Sequence, residues 1–304
     1  MGNKRSKTSA LVLLSGGLDS ILAVKILQEQ QVDVTGLTFV SYFFNADSAK
    51  CAADKLKAKL KIVDFSDEHL EMVKEPCYGY GKAMNPCIDC HLLMLKKAKK
   101  IMKEEGFDFV VTGEVLGERP MSQNRSALEL IEKESGLKGY LLRPLSAKLF
   151  SSTVAEQKGL IDRNKLFDIS GRSRKRQIAL AKKYGIKEYP TPAGGCLLTD
   201  LQFGQRLREL LNHWPSAHGK DIHLLKLGRH FYLGDDKIIV GRNQQENKQI
   251  EELTQKGDIL IEPKEFTGPT ILIRSKKKVS EESLVKAKEL MIKYSPKLRK
   301  KLEP

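Results

Sequence analysis

The sequence predicts an α/β domain on a parallel sheet followed by a smaller α+β domain, and three observations carry that prediction. An apolar run over residues 10–14 leads into Ser15-Gly16-Gly17-Leu18-Asp19-Ser20 and on into the helical pattern Ile21, Leu22, Val24, Ile26, Leu27. Behind it, strand-like and helix-like segments alternate, the rhythm of parallel strands joined by right-handed crossovers. Beyond residue 213 the pattern changes to short strand-like runs separated by turns. The expected division is therefore residues 1–213 and 214–304.

In chain order, residues 32–40 read as a second buried strand and 47–60 as a helix with Ala49, Ala52, Ala53 and Leu56 inward, which puts Cys51 on that face too. Residues 62–65 give a third strand, 90–105 a basic amphipathic helix, 107–112 a fourth strand ending in Gly113-Glu114, and 140–143 a fifth strand closed by Pro144. Basic residues 172–184 and then 203–211 complete the helices of this domain. Residues 214–221, with Pro215, Ser216 and Gly219, read as a linker. After it, 222–227, 230–233, 237–240, 259–262 and 270–273 look like strands, and 244–255 and 281–293 like helices. The Lys/Arg-rich tail at 297–301 is expected to fray.

A chain of 304 residues with 40% hydrophobic content can bury a sizeable core in two domains. Its net charge of +15 points to a polyanionic partner, since Lys and Arg that neutralise phosphates release counterions; a generally basic soluble surface is the plainer alternative. No apolar stretch is long enough to span a bilayer and no signal peptide is evident, so no membrane partner and a cytoplasmic location are expected. Met1 to Ser6 fits a myristoylation pattern, which a basic tail running into a core strand makes coincidental. Five cysteines, with a C-x-x-C among them, suit a reducing compartment and metal or thiol chemistry.

A buried strand, a glycine turn and a helix start form an anion cradle, because inward backbone N–H groups and the helix N-terminus both attract phosphate. The Lys-Ser/Thr pair of a Walker loop is missing; hydroxyls at Ser15 and Ser20 and the carboxylate of Asp19 flank Gly16 and Gly17 instead. Asp19 can cap the helix or hold Mg²⁺. Downstream, Cys87 and Cys90 stand where a loop meets a helix near His91, a setting expected to lower thiol pKa values. Pro192-Ala193-Gly194-Gly195-Cys196 offers a third thiol on a glycine-rich segment, and three thiols converge if the loops meet. Plainer roles are a buried Cys196 and half of a structural zinc site at Cys87 and Cys90. Cys77 is expected to be structural, with a sulfur relay as its alternative.

The residues from Ser15 to Ser20 resemble the PP-loop of ATP pyrophosphatases. The order of PP-loop, Asn85-Pro86-Cys87-Ile88-Asp89-Cys90 and Gly195-Cys196 is similar to the tRNA 2-thiouridylases, and Thr112 to Gly117 looks like a stretch that tRNA 4-thiouridine synthases place beside ATP. The resemblance implies an adenine nucleotide α-hydrolase-like, Rossmann-type domain. It implies catalytic cysteines at Cys90 and Cys196, and an ATP site at Ser15, Gly16, Gly17, Asp19, Ser20, Gly113 and Glu114. Lys148, just after the fifth strand, is a further candidate for the ATP phosphates. Cys87 replaces the aspartate of many bacterial 2-thiouridylases, which gives the pattern of thiolases that hold a [4Fe–4S] cluster on three cysteines and leave one iron open for sulfur. A Cys₃His zinc site with His91 ranks second and a metal-free persulfide relay third.

Residues 237–243, with Asn247 a turn later, resemble the RNA-binding domain of ribosome-quality-control proteins, which makes Arg242 and Asn243 candidate RNA contacts; an αL turn with an Asn cap is the plainer alternative. Arg172, Arg174, Lys175 and Arg176 form a second basic patch that can guide a tRNA backbone. Together these imply an ATP-dependent tRNA-uridine thiolase that adenylates a uridine carbonyl and receives sulfur from sulfide or a cysteine desulfurase. The alternatives are a small-molecule amidating ligase and an RNA-binding adaptor with a vestigial nucleotide site. The sequence does not specify which uridine, which carbonyl or which oligomeric state.

Overall fold

A computed structural model describes residues 7–190, 195–263 and 266–295, and the chain divides into two compact units, Met1–Thr199 and Asp200–Pro304. The first unit holds a five-stranded parallel sheet of β1 (Ser9–Leu13), β2 (Asp33–Val40), β3 (Lys59–Asp64), β4 (Phe109–Val111) and β5 (Leu141–Leu142), in the order β3-β2-β1-β4-β5. Its helices are α1 (Leu18–Gln28), α2 (Asp47–Leu56), α3 (Ser66–Lys74), α4 (Cys87–Glu105), α5 (Arg125–Glu134), α6 (Val154–Gln157) and α7 (Lys175–Lys183).

Side-chain alternation along β1 explains the three layers. Ala10, Val12 and Leu14 pack with Leu22 of α1, Ala53 of α2 and Ala181 of α7, while Leu11 faces Leu95 and Met102 of α4 and Ile131 of α5. A strand buried on both faces must be apolar throughout, which is why 10–14 reads as an unbroken run. The chain winds outward from β1 to β3 and then returns to β4 on the other side of β1. The crevice at the carboxyl ends of β1 and β4 is thus the topological switch point, where open parallel sheets take their ligands.

The second unit is an antiparallel sheet, β6 (Arg229–Leu233), β7 (Asp236–Val240), β8 (Ile259–Ile261) and β9 (Ile271–Ser275), in the order β6-β7-β9-β8, with α8 (Leu201–His213), α9 (Gly219–Leu225), α10 (Gln244–Glu252) and α11 (Glu281–Tyr294). Ile238, Ile271 and Ile273 meet Ala287 and Leu290 of α11, and Ile239 and Leu272 on the opposite face meet Leu224 and Ile250.

Four sequence expectations change here. Helix α8, expected to close the first domain, opens the second unit. The expected linker is instead packed, with Trp214 and Ala217 buried. Residues 222–227, expected as a strand, fall largely in α9, whose start is fixed by a capping box between His218 and Asp221. Cys51 is exposed rather than inward, because it falls between the buried Ala49 and Ala52 of α2 and points off their stripe. Residues 1–6, the Pro192 to Gly194 part of the third cysteine segment and the basic tail lie outside the described residues.

Candidate nucleotide and thiol site

The glycine loop lies at the carboxyl end of β1, and its two neighbours leave no room for a side chain. A Cβ on Gly16, whose φ is +82°, would fall 2.4 Å from the Ser48 carbonyl carbon. One on Gly113, at the end of β4, would fall 2.5 Å from the Asp19 carbonyl carbon and 2.6 Å from the Ser20 nitrogen. The loop is therefore clamped between the start of α2 and the end of β4. Gly17 is the N-cap of α1 and no side chain caps this helix, so Asp19 is not a cap. The first-turn N–H groups stay available to an anion. The Gly17 N–H donates to Ser15 Oγ at 3.3 Å and the Ser20 hydroxyl to the Gly17 carbonyl at 2.8 Å, which sets both hydroxyls on the loop.

Asp19 is mostly enclosed. Burial pushes its carboxyl up, opposed by Arg174, whose Nη2 stands 3.4 Å from Asp19 Oδ2. Glu118 shares this corner: burial and then the Asp19 charge push it up, opposed by Arg174 at 3.8 Å and by Arg119. Sequence reasoning missed Glu118, whose only signal is its place one residue beyond Gly117 in the stretch after β4.

Glu114, expected to touch nucleotide, is buried and bonded on all sides. It accepts from Arg143 Nε at 3.0 Å, from Thr112 Oγ1 at 2.9 Å, and pairs with His91 Nδ1 at 2.7 Å. Burial alone would raise its pKa, but the Arg143 guanidinium and His91 overcome this and hold the carboxyl at about 2. A continuous series of contacts thus runs from Asp19 and Ser20 through Gly113 and Glu114 to His91, in the first turns of α4 with Cys87 and Cys90.

The thiol segments meet through backbone hydrogen bonds. The Met84 N–H donates to the Leu198 carbonyl at 3.2 Å and the Leu197 N–H to the Phe43 carbonyl at 3.0 Å, which carries Cys196 to the loop before α4. Cys90 feels the charge of both Cys196 and Cys87, and Cys196 feels that of Cys87. Burial, then these neighbours and Asp89, pushes the Cys90 thiol well above its ordinary value; burial pushes Cys196 up to about 11. The lowered thiol pKa expected for Cys90 is therefore reversed, because loss of water and mutual repulsion outweigh the helix N-terminus. Asn85 Nδ2 donates to Cys87 Sγ at 3.2 Å. Asp89, buried between the two cysteines, accepts from the Cys77 and Tyr78 N–H groups at 2.9 and 3.1 Å. Cys77 itself is exposed.

Three thiols whose thiolate forms would repel one another suit a shared soft cation, which would favour those forms. Among the described residues, no group of three or more His, Cys, Asp or Glu side chains already stands in metal-ligand positions. The donor chemistry therefore fits a cluster or zinc, and the assembled ligand geometry is not present.

The remaining candidates are spread more widely. Lys148 Nζ donates to the Asn164 carbonyl at 3.1 Å. Arg172 and Lys175 are exposed, and Arg176 is exposed and pairs with Asp168 at 2.6 Å, whereas Arg174 turns inward to Asp19. In the second unit, Asn243 has extended backbone and caps α10 by accepting from the Glu246 N–H at 2.9 Å; Arg242 Nε lies 2.9 Å from Glu246 Oε1. These two form a helix start, with the Arg242 side chain half exposed.

Residues 5–151 match the family described as thiamine biosynthesis protein (ThiI), and residues 228–302 match the NFACT protein RNA binding domain. The chain resembles the PP-loop tRNA thiolases. It is 26% identical over 261 residues to the tRNA-specific 2-thiouridylase MnmA of Nitrosomonas europaea, covering 79% of this chain and 66% of that protein. It is 35% identical over 122 residues to the MnmA of Treponema denticola, covering 34% of this chain and 32% of that one. The chain thus spans between about a third and just under two thirds of the length of these relatives. A crystal structure of a 4-thiouridine synthetase bound to RNA and ATP aligns over 72% of this chain and 52% of that one, with a TM-score of 0.42 and 19% identity. Among the described residues, no helix is long and apolar enough to cross a membrane.

Proposed function

We propose that the protein is an ATP-dependent tRNA-uridine sulfurtransferase. The observation that carries this reading is the series of contacts joining the glycine loop to the thiol helix through Gly113, Glu114 and His91. An ATP-pyrophosphatase loop and a trio of thiols gathered at the start of α4 suit one reaction in two halves. The uridine carbonyl oxygen attacks the α-phosphate and pyrophosphate leaves, with the uncapped first turn of α1 and the hydroxyls of Ser15 and Ser20 binding the phosphates. A sulfur nucleophile at the oxidation level of sulfide then attacks the activated carbon, and AMP departs with the former carbonyl oxygen. The atoms balance without an external oxidant. Much of the rate comes from holding two large substrates in register.

In this reading Cys87, Cys90 and Cys196 hold a [4Fe–4S] cluster, with zinc as the alternative. When bound, the cluster supplies a coordination position for inorganic sulfur. The protein residues around it fix the thiols: Asn85 orients Cys87, Asp89 anchors the preceding loop, and the Leu197 and Leu198 backbone holds Cys196 in place. Asp19 is positioned for Mg²⁺, and its enclosed oxygen Oδ1, without a hydrogen-bond partner among the described residues, fits a hard cation. The second unit and the exposed Arg172 and Lys175 supply RNA contacts, and sulfide or a cysteine desulfurase supplies the sulfur.

The test is anaerobic purification with an iron count and visible spectrum, followed by incubation with tRNA, ATP and sulfide. Thiouridine by mass spectrometry and pyrophosphate released in step with it are expected, and Cys87→Ala, Cys90→Ala and Cys196→Ala should each abolish thiouridine while ATP still binds. Thiolation that survives in all three variants removes the cysteines from the reaction. A stoichiometric zinc content without iron removes the cluster.

A further inference from the structure

Arg174 was expected on an RNA-facing patch, and its surroundings assign it elsewhere. It is the N-cap residue of α7, and its side chain is largely buried against the glycine loop, 3.4 Å from Asp19 Oδ2 and 3.8 Å from Glu118 Oε1. Both distances are long for charge-assisted hydrogen bonds, which run to about 2.7–2.9 Å. One guanidinium is therefore shared between two carboxylates, giving Asp19 one long hydrogen bond and Glu118 only an ion pair.

A second observation lies one residue short of a turn further along α7. Gln177 is fully buried and aimed at the same carboxylates, with Nε2 3.4 Å from Glu118 Oε2, while its Oε1 has no hydrogen-bond partner among the described residues. Asp19 Oδ1 and Arg174 Nε are likewise enclosed and without hydrogen-bond partners. Leaving such groups unpaired is costly, and three of them on one wall of the loop mark a place built to receive further polar atoms. Charge points the same way. Asp19 and Glu118 are balanced by Arg174 and Arg119, so an added Mg²⁺ leaves two surplus positive charges for a polyphosphate to neutralise.

We propose that Glu118 is the second carboxylate of the Mg²⁺ position and that Arg174 is a positioning residue that yields Asp19 and Glu118 to Mg²⁺ and turns its guanidinium onto a nucleotide phosphate. This rests on the ATP reading above. The exchange needs no large motion, because Arg174 already lies beside the loop, and it makes nucleotide and metal binding mutually dependent: the metal frees the arginine and the arginine then holds phosphate. Gln177 stays as the fixed amide that orients Glu118 in either arrangement.

The experiment titrates the full-length protein with Mn²⁺ alone, read by electron paramagnetic resonance, and with ATP in Mg²⁺ or in EDTA, read by calorimetry. Because Arg174 competes with the metal, Arg174→Ala should tighten Mn²⁺ alone by about tenfold. The same variant should weaken ATP in Mg²⁺ by about tenfold, since the phosphate partner is lost. Arg174→Lys keeps a competing charge and should return Mn²⁺ affinity toward wild type. Glu118→Gln should lower Mn²⁺ affinity and remove most of the Mg²⁺ enhancement of ATP binding while leaving ATP in EDTA unchanged. A change of the same sign for Mn²⁺ and for ATP in Arg174→Ala, or no change in either, overturns the proposal, as does a loss of tRNA affinity in that variant. A wild-type protein that binds no ATP sinks the nucleotide reading instead, and the Mn²⁺ comparison still decides whether Arg174 and a metal compete for these carboxylates.

Discussion

Single residues in the second unit show how burial sets chemistry. Lys237 is almost wholly buried, its ammonium lies 5.3 Å from the centre of the Tyr232 ring, and it has no hydrogen-bond partner among the described residues. Burial pulls its pKa down to about 7; Asp221 and Glu209 oppose the shift and Arg274 and Arg206 add to it. The sign follows from proton counting. The unfolded chain keeps the lysine proton up to its ordinary value near 10.5, while the folded chain releases it above about 7. Across that window the unfolded state holds more protons, so this residue makes stability rise with pH. Lys237→Met should therefore stabilise the protein at neutral pH by about 1–4 kcal/mol, with a smaller gain toward pH 10. Urea melts of both proteins at three pH values across that range check it, and a destabilised variant would show that the ammonium is held by partners after all.

At the scale of elements, the junction of β1, α1 and β4 decides whether the loop has its shape. Gly113 touches the Asp19 and Ser20 backbone, so an added methyl has nothing flexible to push aside. Gly113→Ala should cost about 1–3 kcal/mol of stability and move the first turn of α1. ATP affinity should fall with it, whereas tRNA affinity should hold. Equal ATP binding by calorimetry in the variant would mean that the loop does not depend on this contact. The β1, loop and α1 part of this junction was legible in the sequence because it is local: an apolar run, two glycines and a helical period, whereas the approach of Gly113 to it is tertiary. The inner strands β1 and β4 were legible for a related reason, since burial on both faces leaves continuous apolar runs, whereas the edge strand β3, with Lys59 and Lys61 in it, was read only over its second half. Residues 222–227 were not, because Ile222, Leu224 and Leu225 fit either period until the His218 and Asp221 capping box selects the helix. Helix α5 went unread although Asn124 caps it and Ala127, Leu128 and Ile131 form its buried stripe. Arg174 could not have been placed from its neighbours in sequence: three exposed cations surround it, and only the tertiary approach of α7 to the loop turns it inward. The raised thiol pKa at Cys90 escaped for the same reason, since it comes first from tertiary burial and then from Cys196, more than a hundred residues away.

The whole molecule carries a net charge of +15 and an RNA-binding-like unit after its α/β unit. Electrostatic gripping of a nucleic acid backbone then predicts tRNA affinity that drops by about a thousandfold between roughly 50 and 200 mM salt, as counterions are released from some six phosphates. Filter binding across that salt range measures the slope. A flat dependence would turn attention to a small-molecule substrate.

The route by which Cys196 reaches its partners has a consequence for how the protein is made. The C-x-x-C pair is complete once residue 90 has been synthesised, but the third thiol is held by bonds from Leu197 and Leu198 to Phe43 and Met84, which exist only after the first unit is finished. On a ribosome the pair emerges without its third thiol until residue 199 clears the exit tunnel. Loading of the proposed cluster would then wait for completion of the first unit, and a chain truncated before residue 196 is expected to purify without metal, which an iron and zinc count checks.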